Sequence, residues 1–137
     1  MSSLILNFLK SELKTFDLEL TKKINGREGV DFLIGNNQIY LQSIDLDTAQ
    51  RSIKISKQEL GQLRDNLFIA LILIIDKQPK VSFLIPSKDL SQPDSNIFKE
   101  NEVSLMPSLS NWEIKIFSKG LSQFEIYTIP NQIEKLN

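Results

Sequence analysis

Leu67-Phe68-Ile69-Ala70-Leu71-Ile72-Leu73-Ile74-Ile75 is the longest apolar run in this chain of 137 residues. Nine residues are too few to span a hydrocarbon core, which takes about 20 in a helix. The run is rich in Ile, whose branched side chain packs well on a pleated surface, and it is short for a helix. With no polar residue on either face it must be covered on both sides, as in an interior strand. Asp76-Lys77-Gln78-Pro79 then turns the chain into Val81-Ser82-Phe83-Leu84-Ile85, which Pro86-Ser87 stops.

Upstream of this strand the period changes twice. Leu9, Leu13, Phe16, Leu20 and Ile24 are spaced by four, three, four and four, one face of a helix. Ser2 or Ser3 can cap that helix, and Gly26 after Ile24-Asn25 predicts its end. Glu12 and Glu19, seven apart, fall on one flank of the apolar stripe. Strand-like segments follow at 30–34 and 38–44, separated by the turn Gly35-Asn36-Asn37, so a hairpin is expected. Asp45 to Gln50 is polar and reads as a loop. Ser52-Ile53-Lys54-Ile55-Ser56 alternates as a further strand, and a short helix is expected around Gln58-Glu59-Leu60.

Downstream, residues 88–110 are rich in Ser, Asp, Asn and Pro and read as an irregular excursion. Trp112-Glu113-Ile114-Lys115-Ile116-Phe117 alternates as a last strand, a short helix covers 118–127, and a loose tail comes after Pro130. No internal repeat and no interdomain linker is visible. The expectation is one domain over 1–129 with a tail at 130–137. Its fold class is mixed α/β (α+β): a central sheet of about five or six strands with the N-terminal helix packed across it.

Composition narrows the chemistry. Lys and Arg number 16 against 17 Asp and Glu, a net charge of −1, which argues against nonspecific coating of nucleic acid or anionic lipid. Neither Cys nor His occurs, so disulfides, thiolate nucleophiles, His-based triads and N/S zinc sites are all excluded. The N-terminus has neither a basic n-region nor an unbroken apolar h-region, and a cytoplasmic protein with no membrane partner is expected. No G-x-G-x-x-G, G-x-x-x-x-G-K-[ST] or G-x-S-x-G is present. No small-molecule cofactor is expected.

Carboxylate and amide oxygens remain. Glu12 or Glu19 on the helix rim, Asp31 in the first strand of the hairpin and Gln42 in the second are oxygen donors of the type a hard cation such as Mg²⁺ requires. Each also has a plainer reading. Asp31 can end a turn or pair with a nearby Lys, Gln42 can satisfy itself at a strand edge, and the two glutamates can be solvated, Glu19 beside Lys23 at i,i+4. Trp112 reads as a core plug. Lys10, Lys14, Lys22, Lys23 and Arg27 make the helix and its exit locally basic, as a solvated face or a phosphate track.

The arrangement of helix acid, strand Asp and next-strand Gln resembles the restriction-endonuclease-like, PD-(D/E)xK nuclease superfamily. That superfamily places an acid on the first helix, an Asp on one strand and a (D/E)xK or QxK triplet on the next. A closer likeness is to small bacterial proteins of unknown function within it. The landmarks are Tyr40-Leu41-Gln42-Ser43-Ile44, Leu63-Arg64-Asp65-Asn66-Leu67 with Ala70-Leu71-Ile72-Leu73, Leu84-Ile85-Pro86-Ser87, Asn111-Trp112-Glu113-Ile114 and Ser118-Lys119-Gly120-Leu121. They run in order from about Asp31 to Tyr127.

The resemblance implies catalytic positions at Asp31 and Gln42, with Asp31, Glu19 and Glu12 as candidate ligands for Mg²⁺ or Mn²⁺. The departure is at the third triplet position, where the superfamily's Lys falls on Ile44. Loss of one such cationic donor costs roughly 10²–10³ in rate. Lys54 on the next strand, or Lys23 at the helix end, could supply a relocated cation. Three functions are open on this basis. The leading one is a degenerate nuclease-like domain, a binding or accessory module with DNA as a candidate partner. The second is a live divalent-metal nuclease with a relocated Lys. The third is a protein-interaction domain, a homodimer through a sheet edge or the C-terminal segment.

Overall fold

The run 67–75 is a strand with both faces buried in a computed structural model of the chain, which describes residues 2–27, 30–93 and 95–136. The elements in order are α1 (Ser2–Lys14), β1 (Thr21–Arg27), β2 (Val30–Ile34), β3 (Asn37–Asp45), β4 (Ser52–Ser56), a single helical turn α2 (Lys57–Leu60), β5 (Leu67–Ile75), β6 (Gln78–Pro86), β7 (Phe98–Asn101), β8 (Asn111–Lys115) and α3 (Ile129–Gln132). Short 3₁₀ segments lie at Ser87–Ser91, Pro107–Leu109, Ser118–Tyr127 and Ile133–Leu136. Among the described residues the strands form two sheets. Five strands run in the order β1-β2-β3-β5-β6 and three in the order β4-β8-β7.

Alternation along β5 divides the interior in two. Phe68, Ala70, Ile72 and Ile74 meet Ile5, Leu9 and Leu13 of α1, while Leu67, Ile69, Leu71 and Leu73 meet Ile55, Phe98, Trp112 and Ile114 of the smaller sheet. The result is three layers: helix, five-stranded sheet, three-stranded sheet. Each large aliphatic side chain so buried contributes about 1.5–3 kcal/mol. β3 and β5 pair in parallel, whereas every other strand pairing is antiparallel. A parallel pair needs a crossover, and here β4 and α2 make it, which carries β4 out of the first sheet and onto β8.

The mixed five-stranded sheet and the N-terminal helix agree with the expectation, and the second sheet corrects it. Among the described residues there are eight strands in two sheets, not about five or six in one. The helix also ends ten residues earlier than its apolar spacing predicts. Asp17 adopts a left-handed conformation, φ 59°, and the N–H groups of Leu18 and Asp17 donate to the carbonyls of Leu13 and Lys14, each at 3.0 Å. This is a Schellman stop with Asp in the place that Gly usually takes. Leu20 still reaches the core, from the approach to β1.

Two further segments differ from the reading of the sequence. The excursion 88–110 contains β7, held antiparallel to β8 from Phe98↔Ile114 to Asn101↔Asn111. The stretch after Pro130 is not loose: Ile129 and Leu136 are buried, and the Asn37 side-chain amide donates to the Leu136 carbonyl at 2.9 Å. No helix among the described residues is long and apolar enough to cross a membrane.

The β5–β6 turn places Asp76 and Lys77 in the left-handed region, φ 54° and 65°, which costs free energy in non-glycine residues. Asp47 offsets that cost: its carboxylate accepts the N–H groups of Asp76 and Lys77 at 2.8 and 2.7 Å. Asp47→Ala is expected to destabilise the fold by about 1–3 kcal/mol, read as a lower urea midpoint, with Asp47→Asn losing less.

Candidate functional site

The candidate site is built on the β2–β3 hairpin. Its turn is two residues long, Ile34 facing Asn37, and Gly35 takes φ +60°. The register Phe32↔Ile39 continues to set Asp31 opposite Tyr40. There β2 parts from β3, and the Asp31 carboxylate stands in for a strand carbonyl, accepting the Leu41 N–H at 2.8 Å. Ile39 and Leu41 face α1, so Tyr40, Gln42 and Ile44 project to the other side.

On that side the Tyr40 hydroxyl donates to Glu59 Oε2 at 3.3 Å. Glu59 comes from α2, whose position is fixed by fully buried Leu60 and by the Ser56 hydroxyl, which accepts the Glu59 N–H at 3.3 Å. Burial first, and then the negative charge of Glu59, hold the Tyr40 phenol above its ordinary value. Tyr40 is therefore a neutral donor at physiological pH. Glu59 escaped the sequence reading because it reaches the hairpin through the crossover, and a position on a four-residue helix carries no signal of that.

The structure brings Asp31 and Gln42 to one face and separates the other candidates from them. Glu12 lies on the α1 side of the sheet, where its Oε1 accepts from the Ser82 hydroxyl at 3.5 Å, so the sheet stands between it and Asp31. Glu19 is exposed in the connection before β1, at a depression shared with Lys10, Lys14 and Asp17. Lys54 also points elsewhere. Ile53 and Ile55 turn inward from β4, and Lys54 faces out across from Glu113 on β8. An Asn101 hydrogen bond and, to a lesser degree, the charges of Lys54 and Lys115 hold the Glu113 carboxyl below the usual range. The side chain of Lys23 lies outside the described residues.

Among the described residues no group of three or more acidic side chains gathers in a way that could hold a metal ion. Asp31, Glu59 and the Gln42 amide oxygen could at most hold a hydrated cation, since Mg²⁺ accepts one or two carboxylates and completes its shell with water. Ile44, where the resemblance would call for a Lys, is fully buried between the two sheets. Trp112 is buried in the same core, with the Lys57 ammonium 4.4 Å from its ring centroid, and offers no stacking platform. The arrangement can accept and donate hydrogen bonds, but no described cation stands beside Asp31 to activate water. Compared with protein-family models, curated proteins and solved structures, the chain matches none.

Proposed function

We propose that this chain is a restriction-endonuclease-like domain whose active site has decayed, serving as a binding or accessory module and not as a nuclease. The observation that carries the reading is Ile44. Asp31 and Gln42 sit on neighbouring strands, as the resemblance implies, but the position of the activating Lys is a buried aliphatic in the core. Lys54 does not replace it, and Glu12 is on the wrong side of the sheet. What remains on that face is the Tyr40–Glu59 hydrogen bond, with Asp31 engaged by the Leu41 N–H.

Calorimetric titration of Mg²⁺ and Mn²⁺ into the wild type and Asp31→Ala, with plasmid cleavage followed in the same samples, tests this. Weak or absent cation binding and no cleavage are expected. Divalent-dependent cleavage abolished by Asp31→Ala overturns the proposal, and its loss in Lys23→Ala would locate the relocated cation. If DNA is the partner, affinity falls steeply with salt.

A second reading, a protein-interaction domain, draws on the loop between β7 and β8. Leu105 is 94% exposed there, and Met106 and Leu109 are each more than half exposed. Such a patch beside a short edge strand favours a protein contact. A sedimentation coefficient that rises with concentration in the wild type, but not in Leu105→Asp, supports that reading.

A further inference from the structure

The end of the larger sheet where β5 begins and β6 ends carries a concavity of about 470 Å³, within the range of roughly 300–1,000 Å³ typical of small-molecule sites. It shares no lining residue with the Asp31–Gln42 face, so a ligand bound here is independent of the decayed nuclease site. Arg64, Lys88 and Lys135 converge on it from three stretches far apart in sequence, over a floor that includes Phe68 and Pro86. Asp65 and Asp89 complete the lining, so the five charged groups sum to +1.

The charges are not equally engaged. Lys88 Nζ pairs with Asp65 at 2.9 Å, and Asp89 accepts the Tyr127 hydroxyl at 2.8 Å. Among the described residues neither Arg64 nor Lys135 has a carboxylate within ion-pair distance. Arg64 is nevertheless fixed at both ends. The hydroxyl of Ser87, which is fully buried, accepts the Arg64 N–H at 3.0 Å and donates to the Arg64 carbonyl at 2.8 Å. At the other end the guanidinium donates to the Gln62 carbonyl at 2.9 Å and to the Gln38 amide oxygen. Two of its five N–H donors are thereby used for orientation, and the others remain for a ligand.

We propose that this concavity binds a phosphomonoester, with Arg64 as the fork and Lys135 as the second cation. A phosphomonoester carries about −1.5 to −2 charges at neutral pH, which matches the two cations that lack a carboxylate partner among the described residues, whereas a single carboxylate would leave one unmatched. The half-buried Pro86 suits the organic body that bears the phosphate, while Phe68 beneath it is closed into the core. That body belongs either to a free small molecule or to the 5′ end of a nucleic-acid strand.

The probes are adenosine monophosphate and short oligothymidylates with a 5′-phosphate or a 5′-hydroxyl, titrated calorimetrically into the full chain. Saturable binding of at least one phosphorylated probe is expected. Lys135→Glu and Arg64→Gln should each weaken it about tenfold or more, the equivalent of one hydrogen bond to a charged group. Lys135 is exposed, so its variant folds even if Arg64→Gln does not. Lys80→Glu is the control, because Lys80 is exposed and lies six residues along β6 from Pro86, about 20 Å. Binding of the monophosphate assigns the site to a small molecule, and binding of the 5′-phosphorylated strand alone assigns it to a strand end. No saturable binding in the millimolar range overturns the proposal. So does an equal loss in Lys80→Glu, or equal affinity for the 5′-hydroxyl strand.

Discussion

Ile44→Lys, the change that would complete a QxK triplet if the proposed resemblance holds, is expected to destabilise the fold severely and to produce no cleavage. Ile44 is fully buried on the face of β3 that meets the smaller sheet, packed in the cluster that holds Ile55, Leu71 and Trp112. An ammonium placed there loses its hydration with no described carboxylate in that cluster to receive it, at a cost of several kcal/mol. The lost aliphatic packing adds about 1–3 kcal/mol. Against a typical domain stability of about 5–15 kcal/mol, that is enough to unfold a large fraction of the molecules. Urea denaturation should show a midpoint far below that of the wild type. A variant with wild-type stability that cuts plasmid DNA with Mn²⁺ would mean that position 44 opens toward Asp31 in solution, contrary to its packing between the two sheets.

Truncation after Thr128 is the second large effect. It removes Ile129 and Leu136, both buried against α1, β5 and β6, and the hydrogen bond from the Asn37 amide to the Leu136 carbonyl. Two aliphatic side chains at about 1.5–3 kcal/mol each place the loss at about 3–6 kcal/mol. Leu136→Ala alone should cost about 2–5 kcal/mol, the usual range for a buried Leu. A truncated chain with an unchanged urea midpoint would show that these residues contribute nothing to the core.

The legible and illegible parts of this sequence differ in where their information sits. β5 is readable because an all-apolar nine-residue run has few folds open to it, and its bounds, Leu67–Ile75, match the run. The β2–β3 hairpin is readable because Gly35 supplies the positive φ that a two-residue turn needs. The end of α1 was hidden because its left-handed stop is Asp17, a residue more often polar surface than helix terminator. β7 has a single buried side chain, Phe98, and owes its strand form to pairing with β8, which no local pattern records. The C-terminal segment did carry a signal, since Ile129, Ile133 and Leu136 are spaced by four and three, but the stretch is short and begins next to a proline. At the candidate site, alternation and one turn place Asp31 and Gln42 together. The contribution of Glu59 there depends on the crossover, and that of Arg64 to the separate concavity depends on the loop before β5; both follow from tertiary structure alone.

The crossover through β4 also governs how this chain can fold. β4 belongs to the smaller sheet but is synthesised between β3 and β5 of the larger one, and its Ile53 must wait for Ile114, 61 residues later. Neither sheet can be finished before the other has begun, so the nascent chain carries the uncovered face of β5 until β8 emerges. Contacts of such long range slow folding, because loop closure precedes the contacts that reward it. The two sheets are therefore one cooperative unit in time as well as in space. A fragment ending before residue 111 would keep the most apolar strand and lack its cover, which favours aggregation over a stable half.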